Sequence, residues 1–466
     1  MIHHMENNGS QTRITLVIVM ITSFITPFMS GAINLAIPTI GMEFRASQSM
    51  LNWVVSGFLL TTAAFMLPIG SLADKFGRKR FFLSGMILLA ASALGCALAP
   101  TLIALICFRC IQGLASAMIL GTSMAILTSV IPPQIRGRAL GFNSAATYIG
   151  SSCGPVLGGF ISGALSWRAV FIFNLLVAVV VIVLTALKLK SEWKDEASKL
   201  DGGGMVFCIL AQVLLLFGLT DLPAGLLYQI CFVVGAALLF VFFIYEKNRL
   251  SPLVPVELIM KNRPFAFSNL ASLINYSATF ALGFALSLYL QAALHIDPAV
   301  SGIILLVQPF FMVVLSPVAG MLSDRLSSKV LASIGMGISA LGLFFFIFLT
   351  TQTPIVLIVL NLAFIGIGFA LFISPNTNAI MSSVDKTLYG VASAVLANMR
   401  LLGQSISIAI VSLITSVLIR DLAIGSPAYV VKLMASLRTA FIVFAAMCVL
   451  GVWASLARGN DKVESH

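Results

Sequence analysis

Apolar residues along this chain come in long unbroken runs. They do not alternate with polar residues, as a strand with one wet face requires, so the short alternating segments of an outer-membrane barrel are missing. A run of about 20 residues can cross ~30 Å of hydrocarbon at 1.5 Å per helical residue. A window of that length finds fourteen, near 14–38, 48–72, 81–99, 101–130, 139–163, 167–188, 203–220, 225–245, 265–291, 298–322, 330–350, 354–380, 388–418 and 437–457. Inside lipid a helix satisfies its own backbone N–H and C=O groups, so each run predicts a transmembrane α-helix.

Charge and composition sharpen this picture. Hydrophobic residues make up 59% of the 466 positions and charged ones 9%, far from the profile of a soluble domain. The formal net charge is +11, but the cations sit in short loops between spans, which argues against nucleic acid as a partner. An even number of spans puts both termini on one side, and 20 of the 27 Lys and Arg residues fall there. Five (Arg45, Arg168, Arg420, Lys432 and Arg438) fall on the other side, and Arg109 and Arg400 lie within spans. By the positive-inside rule, both termini are expected in the cytoplasm and the chain in the plasma membrane, crossing many times. The first run continues to Pro38 without a small-residue cleavage site, so it is expected to be retained. All seven cysteines lie inside expected spans, where a disulfide framework is not expected. The histidines (His3, His4, His295 and His466) lie in tails or an outer loop, and no buried acid pair or P-loop is present. Neither an enzyme, a metal site nor a cofactor is therefore expected.

The chain carries an internal echo. "GSLADKFGRKR" (70–80) follows the second span, and "GMLSDRLSSK" (320–329) follows the tenth. Gly70, Asp74 and Lys79 align with Gly320, Asp324 and Lys329 at a constant offset of 250 residues. Repeats of half a chain point to a two-bundle transporter. The expected organisation is a tail at 1–13, a six-helix bundle at 14–190 and a linker with an inserted two-helix hairpin at 191–263. A second six-helix bundle at 264–457 and a tail at 458–466 complete it.

Four motifs carry a resemblance. The stretch 70–80 has a Gly, an Asp four residues later, a cation, a second Gly three after the Asp, then further cations. "RCIQG" (109–113) sits in the fourth span, "GSSCGPVLGG" (150–159) in the fifth and "GVASAVLANMRLLGQSISIA" (390–409) in the thirteenth. On these residues the chain resembles the major facilitator superfamily, in its fourteen-helix drug–proton antiporter branch. The resemblance covers nearly the whole chain. It implies an all-α membrane fold of two six-helix bundles with a two-helix insertion, acting as a monomer. It also implies export of small amphiphilic molecules by alternating access, with the proton gradient as energy source and no cofactor.

It assigns roles as well. Gly70, Asp74, Gly77, Arg78 and the echo's Asp324 would gate, with the latch mainly in the N-terminal half. Arg109, Gln112 and Gly113 would serve coupling, and a cation in mid-span costs at least ~2.5 kcal/mol unless it faces the interior. Gly150, Gly154 and Gly158, spaced by four, line one helix face for close approach; Pro155 bends that helix, and Gly159 completes the motif. Cavity candidates are Asn34, Tyr148, Asn275, Tyr276, Gln308, Asn398 and Arg400.

One departure changes the chemistry. Members of this branch carry an Asp in the first helix, where this chain has Met29 in "MSGAINLAIP". No other Asp or Glu falls in the core of an expected span. A dication in a low-dielectric cavity needs a carboxylate, and this one offers arginines. The expected substrate is therefore neutral, zwitterionic or anionic rather than dicationic. Alternative readings are a dedicated exporter or flippase of one endogenous metabolite or lipid, and a non-transporting receptor.

Overall fold

The computed structural model describes residues 2–45, 48–189, 191–194, 200–220, 222, 225–247, 249, 252–253, 256–419 and 427–459. Arg420 and His466 fall outside these residues, as do the side chains of His3, His4, Asn34 and Pro155. The described residues form helices and connecting turns without a strand.

The first six spans are α1 (Ile2–Phe44), α2 (Gln48–Phe76), α3 (Arg78–Ala97), α4 (Leu102–Val130), α5 (Arg136–Ala164) and α6 (Trp167–Lys188). The hairpin is α7 (Gly202–Thr220) and α8 (Leu226–Lys247). A short α9 (Val256–Lys261) leads into the second set. Its first span is broken into α10 (Arg263–Thr279), α11 (Leu282–Leu288) and a π-turn at Tyr289–Ala293. Its second is broken into α12 (Pro298–Leu305) and α13 (Val307–Ser323). Then follow α14 (Ser328–Phe346), α15 (Ile355–Ser382), α16 (Tyr389–Leu418) and α17 (Pro427–Ala457). Thirteen helical stretches among the described residues are long and apolar enough to cross a membrane. The fourteenth expected span is α5, which has the length, 29 residues, but is rich in Gly and Ser.

Three features add detail to the expected layout. Helix α1 begins at Ile2, so the stretch read as a tail is a helical extension of the first span. The ninth and tenth spans are interrupted rather than continuous, at Phe280–Ala281 and at Leu306. Arg458, read as the first residue of the C-terminal tail, is fully buried. Its guanidinium donates to Ser268 Oγ (3.1 Å) and Asn376 Oδ1 (3.2 Å), tying the end of α17 to α10 and α15.

The packing repeats with the sequence. In the first set α1 lies on α5, α2 on α4, and α3 on α4 and α6. In the second, α10 lies on α16, α13 on α15, and α14 on α15 and α17, which is the same pattern eight spans later, past the hairpin. The sets meet through α2 against α16 and α13 against α5, again an exchange of equivalent pairs. Helix α7 packs on α2 and α16 beside this junction, and α8 presents Leu227, Val233, Phe240 and Ile244 outward, as a lipid-facing helix does. At the opposite end from the motif loops, Glu43 of α1 accepts from Trp167 Nε1 (2.7 Å) and Arg168 (2.7 Å) of α6. The Arg168 bond holds the Glu43 carboxyl below its ordinary value of 4.5.

Candidate functional site

The two motif loops meet the helix starts of the opposite bundle. Asp74, in the last turn of α2, is 5% exposed. Its Oδ1 accepts from Arg78 Nε (2.7 Å) and its Oδ2 from Val391 N (3.1 Å), in the first turn of α16. A carboxylate there meets the positive end of the helix dipole and an N–H with no partner in its own helix. Arg78 reaches further, to Lys386 O (2.9 Å), Thr387 O (3.2 Å) and Ser129 Oγ (3.0 Å). One carboxylate and one guanidinium thus join α2, α3, α4 and α16.

The echo builds the same contact with the bundles exchanged. Asp324, just after α13, accepts from Gly137 N (2.6 Å) and Arg138 N (2.9 Å) in the first turn of α5. Burial pushes its carboxyl above the ordinary 3.8, partly offset by those two backbone N–H groups and by Arg136 and Arg138. The contact expected mainly in the N-terminal half therefore has a counterpart in the C-terminal half. Both depend on small residues: a Cβ on Gly390 would sit 2.0 Å from Asp74 Oδ1, and one on Gly137 would sit 2.4 Å from Gly320 O. Gly70 likewise abuts Ala394, whose Cβ lies 2.7 Å from where a Cβ would be.

Gly77 has a φ of 117°, a backbone conformation that a side chain strains, and a Cβ there would meet the Glu192 carboxyl at 2.7 Å. Glu192 belongs to the linker and accepts from Lys79 N (2.9 Å), while Arg78 N donates to Trp193 O (2.9 Å). Sequence reasoning missed Glu192, which lies 113 positions from its partner, and also Tyr389. Tyr389 sits between two guanidinium groups, Arg78 at 6.0 Å and Arg136 at 5.6 Å from its ring, and accepts from Arg136 Nη2 (3.1 Å). A signal for the helix starts existed: Gly137–Arg138 and Gly390–Val391 are related by an offset of 253, close to that of the motifs.

The glycines of 150–159 face α1. A Cβ on Gly150 would lie 2.2 Å from Phe24 O, on Gly154 2.6 Å from Phe28 O, and on Gly158 2.3 Å from Ala32 Cβ. Three contacts at matching four-residue steps seat α5 on the backbone of α1. Gly159 is half-buried on the neighbouring face.

Deeper along the junction, three of the cavity candidates come together. Arg400 of α16 donates to Thr377 Oγ1 (2.7 Å) and lies 5.8 Å from the Tyr276 ring, which meets Phe369 edge-on at 6.5 Å. Tyr148 of α5 reaches across from the first bundle to within electrostatic range of both Tyr276 and Arg400. Tyr148 Oη and Arg400 Nε have no hydrogen-bond partner among the described residues. The cluster holds a cation, two phenols and an aromatic wall, and no described carboxylate takes part in it.

The other candidates are placed differently. Asn398 is buried away from this cluster, donating to Ala63 O (3.1 Å) and Gln212 Oε1 (2.6 Å), so it fastens α16 to α2 and α7. Asn275 is fully buried and donates to Met336 Sδ inside the second bundle. Gln308 is half-buried in the first turn of α13. Arg109 is 1% exposed inside the first bundle, where it donates to Val54 O (2.9 Å) and Gln112 Oε1 (2.5 Å) and stacks 4.3 Å from the Phe58 ring. Gly113 makes this approach possible, because a Cβ there would lie 2.4 Å from Phe58 O.

The family model of the Major Facilitator Superfamily matches residues 19–256 and 269–466. The chain belongs to this superfamily. Among its relatives is the riboflavin transporter RibZ of Clostridioides difficile (strain 630), 27% identical over 86% of this chain and 88% of that one. The multidrug resistance protein Stp of Mycobacterium tuberculosis (strain CDC 1551 / Oshkosh) is 28% identical over 81% of this chain and 71% of that one. Among solved structures, the human organic anion transporter MFSD10 (TETRAN) has the same fold, with a TM-score of 0.67 at 12% identity, covering 97% of this chain and 99% of that one. The protein is thus a membrane transporter of this superfamily and not an enzyme.

Proposed function

We propose that this transporter exports small amphiphilic molecules from the cytoplasm by alternating access, as a monomer in the plasma membrane with both termini inside. The preferred substrates are neutral, zwitterionic or anionic. The observation that carries this reading is the Arg400–Tyr276–Tyr148 cluster, a cation at the meeting of the bundles with no acidic side chain beside it among the described residues. In a medium of low dielectric, such a site repels a dication and accepts a neutral or negative group.

The hydrogen bonds between the bundles support the transport cycle. Those made by Arg78, Asp74, Arg136 and Asp324 all lie at the cation-rich end, which the charge pattern assigns to the cytoplasm. The structure then corresponds to a carrier closed inside, and opening inward requires both aspartates to release their helix starts. Relatives named for multidrug resistance support broad export. A relative named as a riboflavin transporter favours a second reading, a dedicated carrier of one metabolite.

The proton gradient is the proposed energy source. Uptake into inverted vesicles with an imposed pH gradient tests both parts, comparing an anionic with a cationic amphiphilic dye. Gradient-driven accumulation of the anionic dye is expected, reduced by Arg400→Gln. Preferential uptake of the cationic dye refutes the charge argument, and uptake indifferent to the gradient refutes proton coupling.

A further inference from the structure

The inserted hairpin is tied to both bundles at one point. Gln212 of α7 and Asn398 of α16 are each 1% exposed. Asn398 Nδ2 donates to Gln212 Oε1 (2.6 Å) and to Ala63 O of α2 (3.1 Å). Gln212 Nε2 donates to Cys208 Sγ (3.2 Å) one turn back, which fixes the direction of the Gln212 amide. One amide group thus joins three helices. Ala63, Leu215, Leu216, Leu219 and Leu402 form a buried apolar cluster at this place. Water does not replace a bond lost in such surroundings, so breaking it leaves buried polar atoms without a partner.

The equivalent place in the other seam is built differently. At the offset of 253 that relates Gly390 to Gly137, the counterpart of Asn398 is Ala145 of α5, which has no amide. The hairpin packs on α2 and α16 and has no counterpart beside α5 and α13 among the described residues. Next to Ala145, Ser374 Oγ donates across the junction to Ser144 Oγ at 3.3 Å, long for a bond between hydroxyls. The two seams therefore match at their ends, through Asp74 and Asp324, but not in their middles. The position along α2 adds to this. Ala63 is near the middle of that helix, and Pro68 lies between it and Asp74. Proline has no N–H to give to Ala64 O, so α2 bends there most readily. The end that carries Asp74 is then free to move while the part at Ala63 is held.

We propose that Gln212 of the hairpin is a positioning residue for the transport cycle. With Asn398 it pins α16 to α2 at mid-depth, so the bundles open inward by swinging about this seam. They part furthest between α5 and α13, and the hairpin marks the hinge side of the carrier. The proposal rests on the alternating-access reading above and is independent of what the transporter carries.

Paired spin labels on the purified full-length protein test it, in a background that keeps the fully buried Cys208 as its single native cysteine. One pair, Phe76 and Asp385, spans the α2–α16 seam, and the other, Ile135 and Leu326, spans the α5–α13 seam; all four positions are exposed. Asp74→Asn and Asp324→Asn together drive opening, because they release both helix starts alike. The distance across α5–α13 should lengthen more than that across α2–α16. Gln212→Met, similar in length but without an amide, should even out the two changes. In the otherwise wild-type chain it should lower transport about threefold or more with the folded yield kept. Exchanging the amides, Gln212→Asn with Asn398→Gln, keeps their summed length and should restore both readouts. Equal lengthening across the two seams with Gln212 in place overturns the proposal, a comparison that needs no change in the hairpin. So does an inequality that Gln212→Met leaves intact. Lengthening at neither seam refutes alternating access itself, and the proposal with it.

Discussion

Asp74→Asn is the sharpest perturbation of the junction. The substitution keeps the shape of the side chain and removes one buried charge that faces Arg78 at 2.7 Å and the start of α16 at 3.1 Å. A hydrogen bond to a charged group contributes about 1.5–3 kcal/mol, and a carboxylate at a helix start about 0.3–1 kcal/mol. Removing one partner of a buried pair can cost about 3–5 kcal/mol, but Arg78 keeps three oxygen acceptors, which puts this case at the lower end. The working value is about 3 kcal/mol. The bond to Arg78 lies within the first bundle and survives opening. The contact to the start of α16 exists only while the bundles are closed at this end, so its hydrogen bond and helix-start contributions, together about 2–4 kcal/mol, are what fall on the closed form. Their loss shifts the balance toward the open form by roughly 100-fold, at about 1.4 kcal/mol per factor of ten.

Spin labels at Phe76 and Asp385, both exposed beside the junction, would report the distance across it in a background without the seven native cysteines. Wild type should show one short distance. Asp74→Asn should show a dominant longer one, with transport abolished and the folded yield nearly unchanged. A variant with the wild-type distance and wild-type transport would refute the argument and leave the cations at 75–80 as topological anchors only.

Three further outcomes are expected. Gly154→Ala places a Cβ 2.6 Å from Phe28 O, so α1 must shift; overpacking of this kind costs about 1–3 kcal/mol, read as a lower unfolding midpoint with reduced transport. Gly163→Ala on the same helix meets nothing within 4 Å and should leave both unchanged. Asp324 binds its proton more tightly in the closed form than an aspartate in water, so its contribution to closure is greatest below the ordinary 3.8 and is lost as pH rises through the elevated value. Labels across α5 and α13 should therefore show more closed form on mild acidification, an effect absent from Asp324→Asn.

Much of this molecule is legible in one dimension. Hydrocarbon thickness sets the length of each apolar run, loop cations set the order of sides, and the 250-residue echo from Asp74 to Asp324 announces two bundles. These are local properties, and a chain reports them without folding. Even the spacing of Gly150, Gly154 and Gly158 predicts one close helix face.

What the chain could not report is which groups meet. Asn398 and Arg400 are two residues apart on α16, yet one fastens α2 and α7 while the other joins Tyr276 and Thr377. Two positions rotate a helix by about 200°, so the choice of face depends on the neighbours on each side. Glu192 meets Lys79 and Asp324 meets Gly137 for the same reason: helix packing closes gaps of 113 and 187 residues that no local pattern spans. The sequence by itself determined a two-bundle membrane protein with an acid at the end of each repeat. Only tertiary structure decided that both acids cap the opposite bundle, and that Arg109 lies buried among neutral partners, because partner choice in a bundle follows from which helix faces turn toward each other.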